Sequence, residues 1–231
     1  MSRLIVVNLG LPKSGTTTLA RALREAGFKV ADHHIRKDDT PNKELHNRLV
    51  GGRMYRGYFA SGDPLEELHE FDAFSEINGL RGPHSLWPQT DFGVISALRE
   101  FHPGIRFLAS SRDPKDQAMS MLKWSDLGTD RLPSSTVPGL PKSYGQTLHE
   151  RAKWIAAHHA FLRKIFEGSK DFLEYDIADT GARDKIAAFL GREMPWWGRL
   201  NANDPERSAK RADKSGEKQK KTKKKNKEGA A

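Results

Sequence analysis

The stretch "GLPKSGTTTLARAL", residues Gly10 to Leu23, decides the fold of this chain. It follows the apolar run "LIVV" and leads into a helix that Gly27 closes. A glycine-containing loop between a buried strand and a helix directs backbone N–H groups and the positive end of the helix dipole at an anion. The stretch therefore predicts a phosphate-binding strand–loop–helix unit, although similar turns without a ligand occur in other α/β proteins.

The position of the lysine in this loop argues against an ATPase-type site. A Walker A loop has its lysine directly after its last glycine. Here Thr16 follows Gly15, and Lys13 lies three positions before Thr16. The loop therefore predicts that a phosphate group is bound, but in another manner than in an ATPase.

Strand-like and helix-like stretches alternate along the chain, which is typical of a parallel sheet with helical crossovers. The sequence predicts an α/β three-layer sandwich with a central parallel sheet. The predicted strands are 3–9, 28–31, 73–77, 105–110 and 171–175, and the predicted helices are 16–26, 43–59, 90–101, 114–126, 144–166 and 182–190. Prolines and glycines in residues 128–143 predict a segment without regular structure that serves as a lid or substrate-side loop.

The positive charge is concentrated at the C-terminal end of the chain. The net charge is +9, and residues 205–231 hold 11 Lys and Arg against four Asp and Glu. This tail has no aromatic or branched apolar residue, so it cannot offset its ordering entropy by burial. We expect one domain at 1–204 and a disordered, solubilising tail at 205–231, with a specific nucleic-acid or membrane role as the less favoured alternative.

Cysteine is absent from the sequence, which excludes a disulfide framework, thiolate catalysis and cysteine-ligated zinc. No run approaches the roughly 18 consecutive apolar residues of a membrane helix. The stretch "LIVVNLGLP" is too short for a signal peptide and is interrupted by Asn8. We therefore expect a cytoplasmic protein without a membrane span.

A second group of polar residues follows the predicted strand 105–110. Arg112 comes at its carboxyl end, where open α/β sheets bind ligands. Asp113 and Pro114 are helix-start residues, so Asp113 is more simply a cap than a catalyst. Ser120 lies eight residues after Arg112, two helical turns away. An arginine at the strand end and a hydroxyl that turns toward the same pocket predict recognition of a second phosphate.

Together these stretches resemble the sulfotransferase family. "PKSGTT" at Pro12–Thr17 is similar to the family's 5'-phosphosulfate loop, and Arg112 with Ser120 is similar to its 3'-phosphate site. A third stretch, Phe172–Gly191, looks like the family's strand–loop–helix near the C-terminus, so the resemblance covers most of residues 1–204.

The resemblance implies a P-loop-related fold and the donor 3'-phosphoadenylyl sulfate (PAPS), with adenosine 3',5'-bisphosphate as the product. It implies a hydroxyl or amine acceptor on a small molecule, carbohydrate or peptide, and no metal. The donor would be held by the following residues: Lys13, Ser14, Gly15, Thr16, Thr17, Arg112 and Ser120. Lys13 would also assist the departing 5'-phosphate.

The sequence departs from the family pattern in two places. The GxxGxWK element that completes the 3'-phosphate site in many cytosolic members is absent, and "REMPWWGRLNAND" occupies its region. Arg192 and Arg199 are candidates to replace it. Thr18 stands where the family usually has tryptophan after GTT, which leaves the purine environment open.

The acceptor also needs a base, and two residues are candidates. His34 follows the second predicted strand, and Glu76 lies near the end of the third. We expect His34 to be ahead of Glu76, because the ordinary pKa of imidazole suits proton removal at neutral pH. His84 is a weaker candidate, and His33 is more simply a packed or solvated histidine.

Two other function classes remain open from the sequence. A P-loop kinase would require Mg²⁺, but the Walker lysine is missing. A non-catalytic nucleotide-binding or polyanion-binding protein would rely on the basic tail and would bind in a salt-dependent manner.

Overall fold

A five-stranded parallel sheet forms the centre of the computed structural model, which describes residues 3–82, 84–198 and 200. The strands in chain order are β1 (Val6–Asn8), β2 (Val30–Ala31), β3 (Ala73–Phe74), β6 (Arg106–Ser111) and β7 (Phe172–Asp176). They lie in the order β2-β3-β1-β6-β7, and every pairing is parallel. A separate antiparallel hairpin consists of β4 (Gly79–Arg81) and β5 (His84–Leu86).

Helices cover both faces of this sheet. They are α1 (Thr16–Glu25), α2 (Val50–Ser61), α3 (Phe92–Phe101), α4 (Pro114–Leu122), α5 (Leu132–Ser134), α6 (Leu148–Ile165) and α7 (Ala182–Leu190). Alternate strand residues pack on opposite sides. Val7 and Phe107 belong to the core with α2, α3 and α6, whereas Val6 and Leu108 belong to the core with α1 and α7. The predicted α/β three-layer sandwich is confirmed, and all five predicted strands are members of the parallel sheet.

Several predicted boundaries were wrong. The helix predicted at 43–59 begins at Val50, because a short 3₁₀ helix at Lys43–Leu45 is followed by Asn47 in the left-handed region (φ 59°) and Leu49 forms a β-bridge with His34. The helix predicted at 144–166 begins at Leu148, where Thr147 and Glu150 form a capping box. The helix predicted at 114–126 ends at Leu122.

The segment 128–143 is more regular than predicted, which corrects the expectation of no regular structure. A π-helical turn spans Leu127–Arg131, and α5 follows it. The segment is held to the core because Leu132, Val137 and Leu140 are buried with Trp154 of α6. Burial of these apolar residues outweighs the local effect of the prolines and glycines.

Two expectations concern residues outside this description. The basic tail at 205–231 and Arg199 both lie outside the described residues. Within the described part of the chain, no helix is both long and apolar enough to cross a membrane.

Candidate functional site

The loop between β1 and α1 requires glycine at two positions. Gly15 has a φ of 102°, in the left-handed region, and a Cβ there would lie 2.6 Å from Ile177 Cγ1. A Cβ on Gly10 would lie 2.7 Å from the carbonyl oxygen of Ser110. Lys13 also has a positive φ, 68°. The loop therefore packs closely against the carboxyl ends of β6 and β7.

Asn8, the last residue of β1, connects this loop to both neighbouring strands. Its Nδ2 donates to the Ser75 carbonyl at 2.8 Å and to Ser110 Oγ at 3.1 Å. Its Oδ1 accepts from the backbone N–H of Ser110 at 2.9 Å and of Gly10 at 3.3 Å. Sequence reasoning missed this role, but a polar residue inside the run "LIVVNLGLP" was the signal that could have shown it.

Two buried side chains from other helices bind carbonyl oxygens of the loop. Gln117 of α4 donates through Nε2 to the Pro12 carbonyl at 2.9 Å. His158 of α6 contacts the Leu9 carbonyl through Nε2 at 2.8 Å. Burial lowers the pKa of His158 to about 4, so the imidazole is neutral at pH 7 and Nε2 must carry the proton to donate. The carbonyl oxygens of Leu9 and Pro12 are thus bound by buried protein donors.

At the start of α1 the helix has no side-chain cap, and its first residues line a cavity. The N–H groups of a first helical turn have no acceptor inside the helix and attract an anion. Ser14 differs from its neighbours: its Oγ is buried 2.6 Å from Ser110 Oγ, and its N–H donates to the Leu11 carbonyl at 3.3 Å. In this structure Ser14 supports the loop and does not line the cavity.

The cavity has a volume of about 960 Å³ and lies at the carboxyl ends of the parallel strands. Ligands bind at this edge in open α/β sheets. The structure brings together in it most of the residues that the sequence singled out: Lys13, Gly15, Thr16, Thr17, Glu76, Arg112 and Ser120. Residues 177–180, which follow β7, complete this side of the wall.

Arg112 and Ser120 reach the cavity from the start and the middle of α4. Asp113 caps this helix, accepting the N–H groups of Lys115 and Asp116 at 3.0 Å each, so its assignment as a cap is confirmed. Arg112 Nη2 lies 4.0 Å from Asp116 Oδ2, a distance at which an ion pair is weak. The guanidinium can therefore present donors to an anion in the cavity.

Glu76 lines the cavity and contacts the start of α1. Its Oε2 accepts a hydrogen bond from Thr16 Oγ1 at 2.6 Å, and Asn78 Nδ2 lies 3.4 Å from Oε1. The carboxylate is therefore held next to the first helical turn of α1.

Unlike Glu76, His34 is not a lining residue of the cavity. It is bridged to Leu49, whereas His33 does line the cavity. In an extended run successive side chains point to opposite sides. His84 lies on β5 and is likewise not a lining residue. The order expected for the base, His34 ahead of Glu76, is not supported by this geometry.

The C-terminal stretch contributes to the wall, but Arg192, one of the two arginines that the sequence suggested, is not a lining residue. Trp197 lines the cavity and packs against Tyr175 with ring centroids 6.1 Å apart. Arg192 instead lies over the ring of Phe28, 4.5 Å from its centroid. It therefore belongs to the packing of α7 and not to the cavity. Leu200 reaches the start of α1, where its N–H donates to Thr18 Oγ1 at 3.4 Å.

Sequence reasoning also missed a contact of Lys13 with an aromatic ring. Its Nζ lies 3.5 Å from the centroid of the Trp124 ring, and both side chains line the cavity. From the sequence alone, Trp124 is equally compatible with a core position. The four-residue separation from Ser120 was the available signal, because residues at this spacing share one side of a helix.

The cavity wall also mixes charged and apolar side chains. Arg36, Arg131, Leu80 and Trp87 are among its lining residues. Arg131 is partly engaged, because its Nη1 donates to the Leu80 carbonyl at 2.9 Å. In the described ranges, no three His, Asp or Glu side chains are grouped so that they could hold a metal ion.

Of the comparisons with known proteins, the one with solved structures gives a match. No protein-family model and no curated protein sequence matches the chain. Among solved structures, the chain is similar to mouse sulfotransferase SULT7A1 complexed with PAP, with 19% sequence identity and a TM-score of 0.39. The match covers 90% of this chain and 61% of the mouse chain, so this chain spans less than two thirds of the length of that protein.

Proposed function

We propose that this protein is a sulfotransferase that moves a sulfuryl group from PAPS to a hydroxyl or amine acceptor and releases adenosine 3',5'-bisphosphate. One observation carries the proposal: a single cavity is lined by a lysine-containing loop suited to an anion, by Arg112 just before α4 with Ser120 on α4, and by a carboxylate beside the loop. The first two are suited to a nucleotide with phosphates at both the 5' and 3' positions.

The donor would lie along the carboxyl edge of the sheet. The first turn of α1 would hold the 5'-phosphate, with the N–H groups of Gly15, Thr16 and Thr17 as donors. Arg112 and Ser120 would hold the 3'-phosphate through charge-assisted and hydroxyl hydrogen bonds. The purine would then lie towards Trp197 and the residues that follow β7.

Lys13 explains why the loop differs from that of an ATPase. A sulfuryl group carries less negative charge than a phosphoryl group, so its transfer needs less neutralisation of its own oxygens and more stabilisation of the departing phosphate. Lys13 supplies a positive charge on the loop itself. As in phosphoryl transfer, the rate gain would come mainly from positioning and preorganised charge.

Glu76 is the base that the geometry favours. A carboxylate can accept the acceptor's proton or orient its hydroxyl, and Glu76 Oε2 is fixed by Thr16 Oγ1 at 2.6 Å. The acceptor would enter beside Arg36, Trp87 and Arg131, which line the cavity. It would be a small molecule, a carbohydrate or a peptide side chain.

Calorimetric titration tests the donor assignment. We expect adenosine 3',5'-bisphosphate to bind at least about tenfold more tightly than ADP, because a charge-assisted contact to the 3'-phosphate contributes about 1.5 to 3 kcal/mol. Arg112→Gln should remove this preference and leave ADP binding unchanged. Equal affinities for the two nucleotides in the wild type contradict the proposal.

Radiolabelled PAPS with a panel of phenols, sugars and peptides tests the reaction. Transfer should continue in the presence of a metal chelator. Strict dependence on Mg²⁺ with ATP as donor would indicate a kinase, and tight nucleotide binding without transfer to any acceptor or to water would indicate a binding protein.

A further inference from the structure

The contact between Lys13 and Trp124 is closer than ordinary packing of a lysine against a ring. The distance of 3.5 Å from Nζ to the ring centroid places the ammonium directly on the indole face. The face of an aromatic ring carries partial negative charge, and tryptophan attracts cations most strongly. The contact therefore defines a preferred place for the ammonium within the cavity.

Trp124 is a fixed point of the cavity wall. Its backbone N–H donates to the Met121 carbonyl at 3.2 Å, and its carbonyl accepts from the N–H of Leu127 at 3.1 Å. Just after it, a Cβ on Gly128 would lie 2.8 Å from Leu122 Cα, so the chain turns tightly back on the end of α4. The backbone that carries the indole ring is thus held on both sides.

A ring held in place in this way would lower the entropy cost of ordering the Lys13 side chain. Its stem has four carbons, and ordering a free lysine side chain costs about 2 kcal/mol. Its backbone is set by the loop, with φ at 68°. A ring that receives the ammonium before the donor arrives reduces the freedom that is lost when the lysine acts on the departing phosphate.

We infer that Trp124 is a positioning residue for Lys13: its indole ring holds the ammonium beside the anion loop and thereby directs it to the 5'-phosphate. The inference rests on the proposed function for the step that Lys13 assists. Ser120, four residues before Trp124, lines the same cavity. One stretch of chain would therefore bind the 3'-phosphate and orient the lysine that acts at the 5' end.

The contact itself can be tested without activity. Protons above an indole face are shielded, so the ε-methylene of Lys13 should resonate upfield of the other lysines in spectra of protein labelled with ¹³C-lysine. Lys13→Met assigns the signal, and Trp124→Leu should return it to the ordinary position. If no lysine signal is shifted in the wild type, or if Trp124→Leu leaves it in place, the inference is wrong.

The role of the contact is tested by turnover of radiolabelled PAPS, with release of sulfate to water as the readout. We expect Trp124→Leu to lower kcat about 3- to 30-fold, the range that a cation–π contact corresponds to, with little change in the affinity for adenosine 3',5'-bisphosphate. Trp124→Phe, which keeps a ring, should recover most of the rate. Lys123→Met, on the exposed neighbour of Trp124, is the control and should match the wild type.

Two further results separate the inference from the proposed function. In the Lys13→Met variant, the additional substitution Trp124→Leu should cause no further fall in kcat, because the ring acts through the lysine. A full additional loss in that background, or a change in nucleotide affinity alone, overturns the positioning role. Absence of any PAPS turnover in the wild type overturns the proposed function instead, and the shifted lysine signal remains as an independent measure of the contact.

Discussion

Glu76 is one of three carboxylates that line the cavity, with Asp32 and Asp179, and it accepts a hydrogen bond from the loop between β1 and α1. It is bound to Thr16 at the start of α1, whereas His34 is turned into a β-bridge with Leu49. His33, and not His34, lines the cavity, because successive side chains of an extended run point to opposite sides. The sequence could name His34 and Glu76 as candidate bases, but it does not show which side chains after each strand face the cavity.

Substitution at these two positions decides the assignment. We expect Glu76→Gln to lower PAPS turnover about 10²- to 10⁴-fold while adenosine 3',5'-bisphosphate still binds, because general acid–base catalysis is of that size. His34→Ala should stay within a few-fold of the wild type. Turnover at saturating donor and calorimetry on each variant make the measurement, and the reverse pattern would return the role to His34.

The residues that the sequence did not reveal share a physical property. Asn8, Gln117 and His158 are buried polar groups that bind the loop's backbone or the neighbouring strand ends. Their partners are carbonyls and N–H groups far away in sequence, so no local pattern marks them. The loop residues themselves were visible because glycine, lysine and hydroxyl side chains occur there at short, fixed spacing.

Among the elements, the parallel strands and their crossovers followed from apolar runs and helix-start residues, but the hairpin of β4 and β5 did not. These strands are only three residues each, and their alternation is too short to distinguish them from a loop. The prolines and glycines of residues 128–143 predicted an irregular segment. Its order comes from tertiary contacts, both the burial of Leu132, Val137 and Leu140 and the hydrogen bonds of Arg151 of α6.

Arg151 supports a specific prediction for this segment. It is 1% exposed, and its Nη1 donates to the carbonyls of Gly128, Gly145 and Gln146 at 3.0, 2.6 and 3.1 Å. We expect Arg151→Met to lower the free energy of unfolding by about 2 to 3 kcal/mol, because the buried carbonyls lose a charged donor. Amide hydrogen exchange across residues 127–146 should accelerate more than exchange in β6.

The control for this experiment is Arg183→Met, since Arg183 is half exposed and paired with its neighbour Asp184. It should leave both the stability and the exchange pattern of the segment unchanged. If Arg151→Met also leaves the exchange of residues 127–146 unchanged, Arg151 does not hold the segment.

For the molecule as a whole, the buried imidazole of His158 makes stability depend on pH. Burial lowers its pKa to about 4, so the unfolded chain takes up a proton between about pH 6.5 and pH 4 that the folded chain does not. The free energy of unfolding should therefore fall as the pH is lowered through this window, by up to about 3 kcal/mol from this group. Above about pH 6.5 the group contributes no pH dependence.

Urea unfolding at several pH values measures this effect. His158→Gln keeps a donor for the Leu9 carbonyl but does not titrate, so the fall in stability between pH 7 and pH 5 should be smaller than in the wild type. His69→Gln is the matched control, since His69 is exposed on the surface and its replacement should leave the slope unchanged. If the free energy of unfolding of His158→Gln falls with pH as steeply as that of the wild type, other groups cause the pH dependence.

The missing side chain of Gly15 has a consequence for how the protein is made. Ile177, against which Gly15 packs, directly follows β7, the last strand of the parallel sheet along the chain. The loop between β1 and α1 is therefore enclosed only after almost the whole described chain has been synthesised and β7 has docked. Contacts between such distant parts of a chain form slowly, since the intervening loop must close first. A nascent or truncated chain would carry the complete "PKSGTT" motif and still lack a finished pocket. Under the proposed function, the capacity to bind a nucleotide is acquired at the end of folding, and a bound nucleotide would stabilise the finished protein relative to the incomplete chains.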